Sequence, residues 1–361
     1  MSRLERVLGI CAPHPDPSGL AISREGRFFL GFPRHSDDHD KPCLAEVTWE
    51  RDSPELVPFP DAEYVLPQPF RSPRRWLVSP HGMVFDKNDV LWVVDDGKRA
   101  GVPGVPEGAA KVVAFDIEQR AVLRTCVVPR SIVGDDAHLN DLRVDPTGRW
   151  AYVTNSGFGP HYSLVVVDLT TGACREFLKN HPRVSPEPGF MTFIEGTPRR
   201  LCAGDFPTGG ADGIALGPHG RRLFWTVLSG RALCSIDTHA LHDFGMDDDE
   251  VERRVVFHGQ RPTCDGIAEG PDGSLFFGSY QERALVRRDA DGEFTLIVQD
   301  SQMLGWPDCL LYRDGYLYVT LGQWDRAPEF HGGTDMRRPP FWVARVAVPP
   351  MGVSGSQPSQ G

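Results

Sequence analysis

No stretch of about 18 consecutive apolar residues occurs in this chain of 361 residues, so no segment reads as a membrane-spanning helix and no membrane partner is expected. The opening MSRLERVLGICAPHPD has no apolar run of secretory length, which makes a cytoplasmic location the expectation. Basic residues are outnumbered, 38 Lys and Arg against 49 Asp and Glu, for a net charge of −11. Such a surface repels a nucleic-acid backbone, so none is expected as a partner. The eight cysteines stand singly, with no CxxC pair to nucleate a zinc knuckle, and read as small core residues of a reducing compartment. A GxSxG elbow, a GxGxxG turn after a strand, a Walker loop and HExxH are all missing. Serine-hydrolase, nucleotide-cofactor and zinc-protease readings are correspondingly weak.

What the chain has in quantity is turn formers. Gly (38) and Pro (32) together make about a fifth of it, which favours many short strands over long helices. One unit recurs six times: a small or polar residue, a short apolar strand, a tight turn, and a second apolar strand. The copies begin at Ser18 (SGLAISREGRFFLGF), His81 (HGMVFDKNDVLWVVDDG), Asn140 (NDLRVDPTGRWAYVTNSG), Asp212 (DGIALGPHGRRLFWTVLSG), Asp265 (DGIAEGPDGSLFFGS) and Asp308 (DCLLYRDGYLYVTLG). Starts lie 43 to 72 residues apart, enough for four strands and their loops. Two further strand-like runs follow most copies, such as KVVAFDI and AVLRTCVV after His81. Six units of four strands predict an all-β, six-bladed propeller over residues 1–349, with residues 350–361 as a disordered tail. The last unit is one strand short, and RLERVLGI near the N-terminus has no blade of its own. Pairing the two would close the ring and remove exposed edges.

In a blade, the loops entering the first strand and those joining strands two and three share one face. Most of the long irregular insertions fall there: 35–42, 97–109, 181–211 and 323–340; the one at 237–252, between strands three and four of the fourth blade, belongs to the opposite face. The four on the shared face predict a funnel above the axis, with Trp324, Phe330, Phe190 and Phe193 as candidate lining. The repeat also brings one residue per blade to the channel mouth: Ser18, His81, Asn140, Asp212, Asp265 and Asp308. Converging carboxylates need a cation, a proton or donors between them. Asn140, Asp212, Asp265 and Asp308 therefore form a candidate set for Ca²⁺ or another divalent cation. Two other readings stand beside it: Asp before Gly capping its own turn, and Ser18, Asp212, Asp308, Phe190 and Trp324 contacting a small-molecule ligand. His81 and His138 are candidate general bases, and Asp141, which replaces the Gly found in four other copies, is a candidate third catalytic group.

The stretches LNDLRVDPTGRWAYVTNSG, SLVVVDLTTGACREFL with the following HPRVSPEP, ADGIALGPHGRRLFWTVLSGRALCSID, CDGIAEGPDGSLFFGS and LGWPDCLLYRDGYLYVT resemble the yellow and major royal jelly protein family over roughly residues 76–345. That resemblance implies a six-bladed propeller and roles as varied as dopachrome conversion, biogenic-amine binding and storage. A more distant resemblance is to the SMP-30/gluconolactonase-type calcium lactonases, where a first-blade Glu joins Asn and Asp residues around a divalent metal. Asn140 in LND and Asp265 in CDGIAEGPDG match that pattern, while Ser18 stands where the Glu would be. The best-supported expectation is an enzyme for lactone hydrolysis or isomerisation of a cyclic or aromatic metabolite. The alternatives are a non-catalytic binder of a small amine or aromatic ligand and a protein-binding scaffold.

Overall fold

A computed structural model describes residues 3–51, 53–157 and 159–348; the expected tail at 350–361 lies outside them. Six four-stranded antiparallel sheets are arranged as the blades of a propeller, and each inner strand packs on the next around the ring. The inner strands are Gly19–Ile22, Pro80–Phe85, Leu139–Val144, Ala211–Leu216, Ile267–Glu269 and Trp306–Arg313. Closure follows the expected route. Glu5–Ile10 forms the outer strand of the last blade, pairing antiparallel with Phe341–Ala347 from Glu5 opposite Arg345 to Ile10 opposite Phe341. Leu8 and Ile10 then enter the core shared with Leu20, Leu30 and Val343.

Alternating apolar side chains build the core between neighbouring sheets. Val94, Val112 and Ala114 of the second blade meet Leu142, Val153 and Val165 of the third. Tyr152, Leu164 and Val166 of the third meet Ile214, Trp225 and Ile236 of the fourth. The inner hairpins are fixed by local chemistry, as at Asp145-Pro-Thr-Gly. There the Asp145 carboxylate accepts from the backbone N–H of Arg149 (2.9 Å) and Trp150 (2.8 Å) and from Thr147 Oγ1 (2.6 Å). Gly148 takes the left-handed φ of 75° that such a turn requires.

Two sequence expectations are corrected here. Cys11 and Cys202 are exposed rather than core residues, because each lies on a loop outside the blades. The insertion at 237–252 is not irregular: it folds into the short helices Thr238–His242 and Asp248–Arg253, whose Leu241 and Val251 cap the fourth blade's core. Among the described residues, no helix is long and apolar enough to cross a membrane.

Candidate functional site

A glycine after four of the six channel-mouth residues lets the inner strands converge. A Cβ on Gly266 would lie 2.0 Å from the Asp308 carbonyl oxygen, on Gly213 2.5 Å from that of Asp265, and on Gly19 2.5 Å from that of His81. With the backbones this close, the leading side chains meet at one axis. His81, Asn140, Asp212, Asp265 and Asp308 form the floor of a funnel of about 350 Å³. Ser18 lies just beneath, lining a small axial hollow with them.

The floor is tied together across blades. Asn140 Nδ2 donates to Asp212 Oδ2 (2.8 Å), Ser18 Oγ to Asp308 Oδ2 (3.0 Å), and Trp324 Nε1 to the same Asp308 oxygen (2.7 Å). The indole of Trp306 donates to Asp265 Oδ2. These partners are side chains of other blades or loops, not the N–H groups of the aspartates' own turns. Burial, then the neighbouring Asp265, pushes the Asp212 and Asp308 carboxyls well above the usual range. Burial also raises Asp265, while hydrogen bonds from Asp212 and Trp306 oppose the rise.

One side of the floor is built of imidazoles. His81 and His138 are joined by His35, which the 35–42 loop lays over them. The buried Arg34 guanidinium clamps that loop by donating to the carbonyls of Val78 (2.7 Å), Val65 (2.8 Å) and Lys41 (2.9 Å). His138 Nδ1 lies 2.7 Å from Asp96 Oδ2, and His35 Nδ1 lies 3.7 Å from the same oxygen. Burial drives all three imidazoles toward the neutral form, His138 down to about 3, and lifts Asp96 to about 7. Held neutral, each imidazole keeps one unprotonated ring nitrogen at neutral pH.

The opposite wall is cationic and aromatic. The Arg199 guanidinium sits 4.5 Å from the centroid of Trp306 and 3.8 Å from that of Phe330, with one bond to the Trp324 carbonyl (3.3 Å). Among the described residues no carboxylate pairs with it, its Nε is buried without a partner, and burial lowers its pKa to about 10. Trp324 and Phe330 line this wall as expected.

Two expected site residues stand elsewhere. Asp141 is not on the funnel wall: strand alternation turns it from Asn140 into the axial hollow, where it accepts from Leu142 N (2.8 Å) and Arg143 Nη1 (3.0 Å). Phe190 lies in a separate hollow beside Met191, Phe193 and Arg231. Its segment folds outward, Glu187 N donating to Ser229 O, and the chain returns to the funnel only at Arg199. Sequence reasoning missed His35, Asp96, Arg199 and Trp306 as site residues. The available signal was weak: a second Asp in VVDDG, and a His opening a loop already marked as long.

The expected oxygen donors Asn140, Asp212, Asp265 and Asp308 all line the funnel floor. Among the described residues, one group of three His, Cys, Asp or Glu side chains has donor atoms all within 4.8 Å of one another, and it is His35, His81 and His138. The three aspartates do not form such a group, and Ser18 and Trp324 both donate to one oxygen of Asp308.

The sequence profile described as Major royal jelly protein matches residues 78–330. A comparison with curated proteins by sequence found no match. Among solved structures, a gluconolactonase from Xanthomonas campestris is similar at a TM-score of 0.54 and 12% identity, covering 96% of this chain and 90% of that one. Virginiamycin B lyase from Staphylococcus aureus gives 0.53 and 12%, covering 96% and 100%. A luciferin-regenerating enzyme gives 0.55 and 10%, covering 96% and 95%. At these identities the likeness is one of fold.

Proposed function

The chain belongs to the major royal jelly protein family, and from that premise we propose that it is an enzyme acting in the central funnel on a small cyclic or aromatic metabolite, by lactone hydrolysis or by isomerisation. One observation carries the reading: the inner strands of five blades deliver polar side chains to the floor of a single 350 Å³ cavity with an unpaired cation and aromatic faces on its wall. A cavity of this size and lining fits a metabolite rather than a macromolecule. Similar folds carry names of enzymes for small molecules, among them a gluconolactonase and a virginiamycin B lyase.

In this proposal a carbonyl oxygen of the substrate faces the protonated Asp212 carboxyl, which donates a hydrogen bond as charge develops on that oxygen. Arg199 pairs with an anionic or acyl oxygen at the other end, and Trp306, Trp324 and Phe330 cover the ring. The acidic floor also leaves a second reading in place, a non-catalytic binder in which the aspartates neutralise an amine. The test is turnover of a panel of sugar and aromatic lactones and enolisable aromatic ketones by the full chain. Asp212→Asn is expected to lower kcat by about 10²–10⁴-fold while the thermal melt is retained. Full activity in that variant overturns the role of Asp212. Absence of turnover, with aromatic amines raising the melting temperature, replaces the enzyme by the binder.

A further inference from the structure

We propose that His35, His81 and His138 form a binding site for a divalent transition-metal ion of the zinc type at the inner end of the funnel. This differs in place and in ligand chemistry from the oxygen-donor set that the repeat alone suggested. Imidazole nitrogen suits Zn²⁺ and Co²⁺, whereas carboxylate and carbonyl oxygen suit Ca²⁺.

The geometry already approximates a coordination shell. Ring centroids lie 4.6 Å apart for His35 and His138, 5.0 Å for His81 and His138, and 5.4 Å for His35 and His81. Three imidazoles on a tetrahedral ion, with metal–nitrogen bonds of about 2.0–2.1 Å, place their centroids roughly 5 Å apart. Small rotations would bring the donor atoms, now all within 4.8 Å, onto one ion.

The surroundings are those of a metal site. Asp96, fully buried, holds His138 Nδ1 at 2.7 Å and is itself fixed by the Lys98 N–H (2.8 Å), so the ring is oriented by a carboxylate at that nitrogen. A carboxylate behind a ligating imidazole sets its tautomer and raises its donor strength. His81 is positioned by Ser18, whose Oγ lies 3.2 Å from Nε2. A cation here would also offset the acidic floor a few side chains away. Three ligands leave a position open toward the funnel, as in catalytic rather than structural zinc sites. An ion so placed supplies Lewis acidity toward a carbonyl or a bound water.

Packing alone is the plain alternative, since His35 also stacks on Trp324 at 6.2 Å between centroids. It does not account for a buried carboxylate spent on orienting one ring. The proposal stands whether or not the reaction above is the right one, because its test reads metal binding and not turnover.

Full-length protein stripped with chelator is titrated with Co²⁺, followed by visible d–d absorption, and then displaced with Zn²⁺, with Ca²⁺ as control. Expected are one Co²⁺ per chain, a tetrahedral-type spectrum and displacement by Zn²⁺ but not by Ca²⁺. His35→Gln and His138→Gln should each abolish stoichiometric binding. Asp96→Asn should weaken affinity by about 10–100-fold, and Asp265→Asn should change it by less than about threefold. X-ray absorption of the Zn²⁺-loaded wild type needs no variant and should show imidazole nitrogens at about 2.0–2.1 Å. Absence of stoichiometric Co²⁺ binding, unchanged affinity in folded His35→Gln and His138→Gln, or an oxygen-only zinc shell overturns the proposal.

Discussion

Asp16 is nearly inaccessible (2% exposed), and its Oδ2 accepts a 2.6 Å hydrogen bond from the Gln323 backbone. Burial lifts its carboxyl to about 7, with that bond and Arg337 opposing the rise. A carboxyl with a raised folded-state pKa contributes stability below the unfolded value near 3.8, and that stability is lost as pH rises through about 7. Asp16→Asn, which keeps the acceptor and removes the titration, should stabilise the protein at pH 8 by about 2–4 kcal/mol and leave pH 4 nearly unchanged. Thermal melts of both proteins across that range check it; equal slopes against pH would contradict it. The same scale shows what single residues disclosed. His81, Asn140, Asp212, Asp265 and Asp308 are marked by their place in the repeat and His138 by its nearness to that ring in sequence, and they reach the funnel. Phe190 was chosen for its residue type and loop alone, and residue type does not fix a loop's path. Arg199, in the same insertion, reads as a surface arginine until Trp306 and Phe330 enclose it.

At the scale of the element, the inner strands owe their spacing to the missing side chain after four of the six channel-mouth residues. Gly266→Ala would force its Cβ against the Asp308 carbonyl, a rigid backbone atom. A loss of about 3 kcal/mol or more is expected by equilibrium denaturation. Gly305→Ala, where a Cβ meets nothing within 4 Å, should change stability by no more than about 1 kcal/mol. Comparable losses in the two variants would show that glycine content, rather than close approach, matters here. The Asp-Gly dipeptides that suggested turn capping thus serve strand convergence. Asp141, which lacks the glycine's role, is accommodated because Arg143 and Leu142 take up its carboxylate.

For the whole molecule, stability rests on a closed ring in which the first strand finishes the last blade. Without Glu5–Ile10, strand Phe341–Ala347 becomes an open edge and Val343 and Phe341 lose their cover from Leu8 and Ile10. Deleting residues 1–10 should therefore abolish the single cooperative melt and promote self-association, read by calorimetry and light scattering. A monomer with an unchanged melt would mean that closure contributes little. Six copies of one apolar and turn pattern were enough to set blade number, strand count and closure, because a repeat that cannot bury its own face must stack on its neighbours. That much belonged to the sequence. Which side chains oppose one another across the axis was decided only in three dimensions. His35 and Asp96 meet His138, and Arg199 meets Trp306, through loops whose course is set by buried contacts between segments far apart in the chain, such as the Arg34 clamp on Val65 and Val78. No local periodicity encodes such contacts, since their energy exists only once the ring has closed.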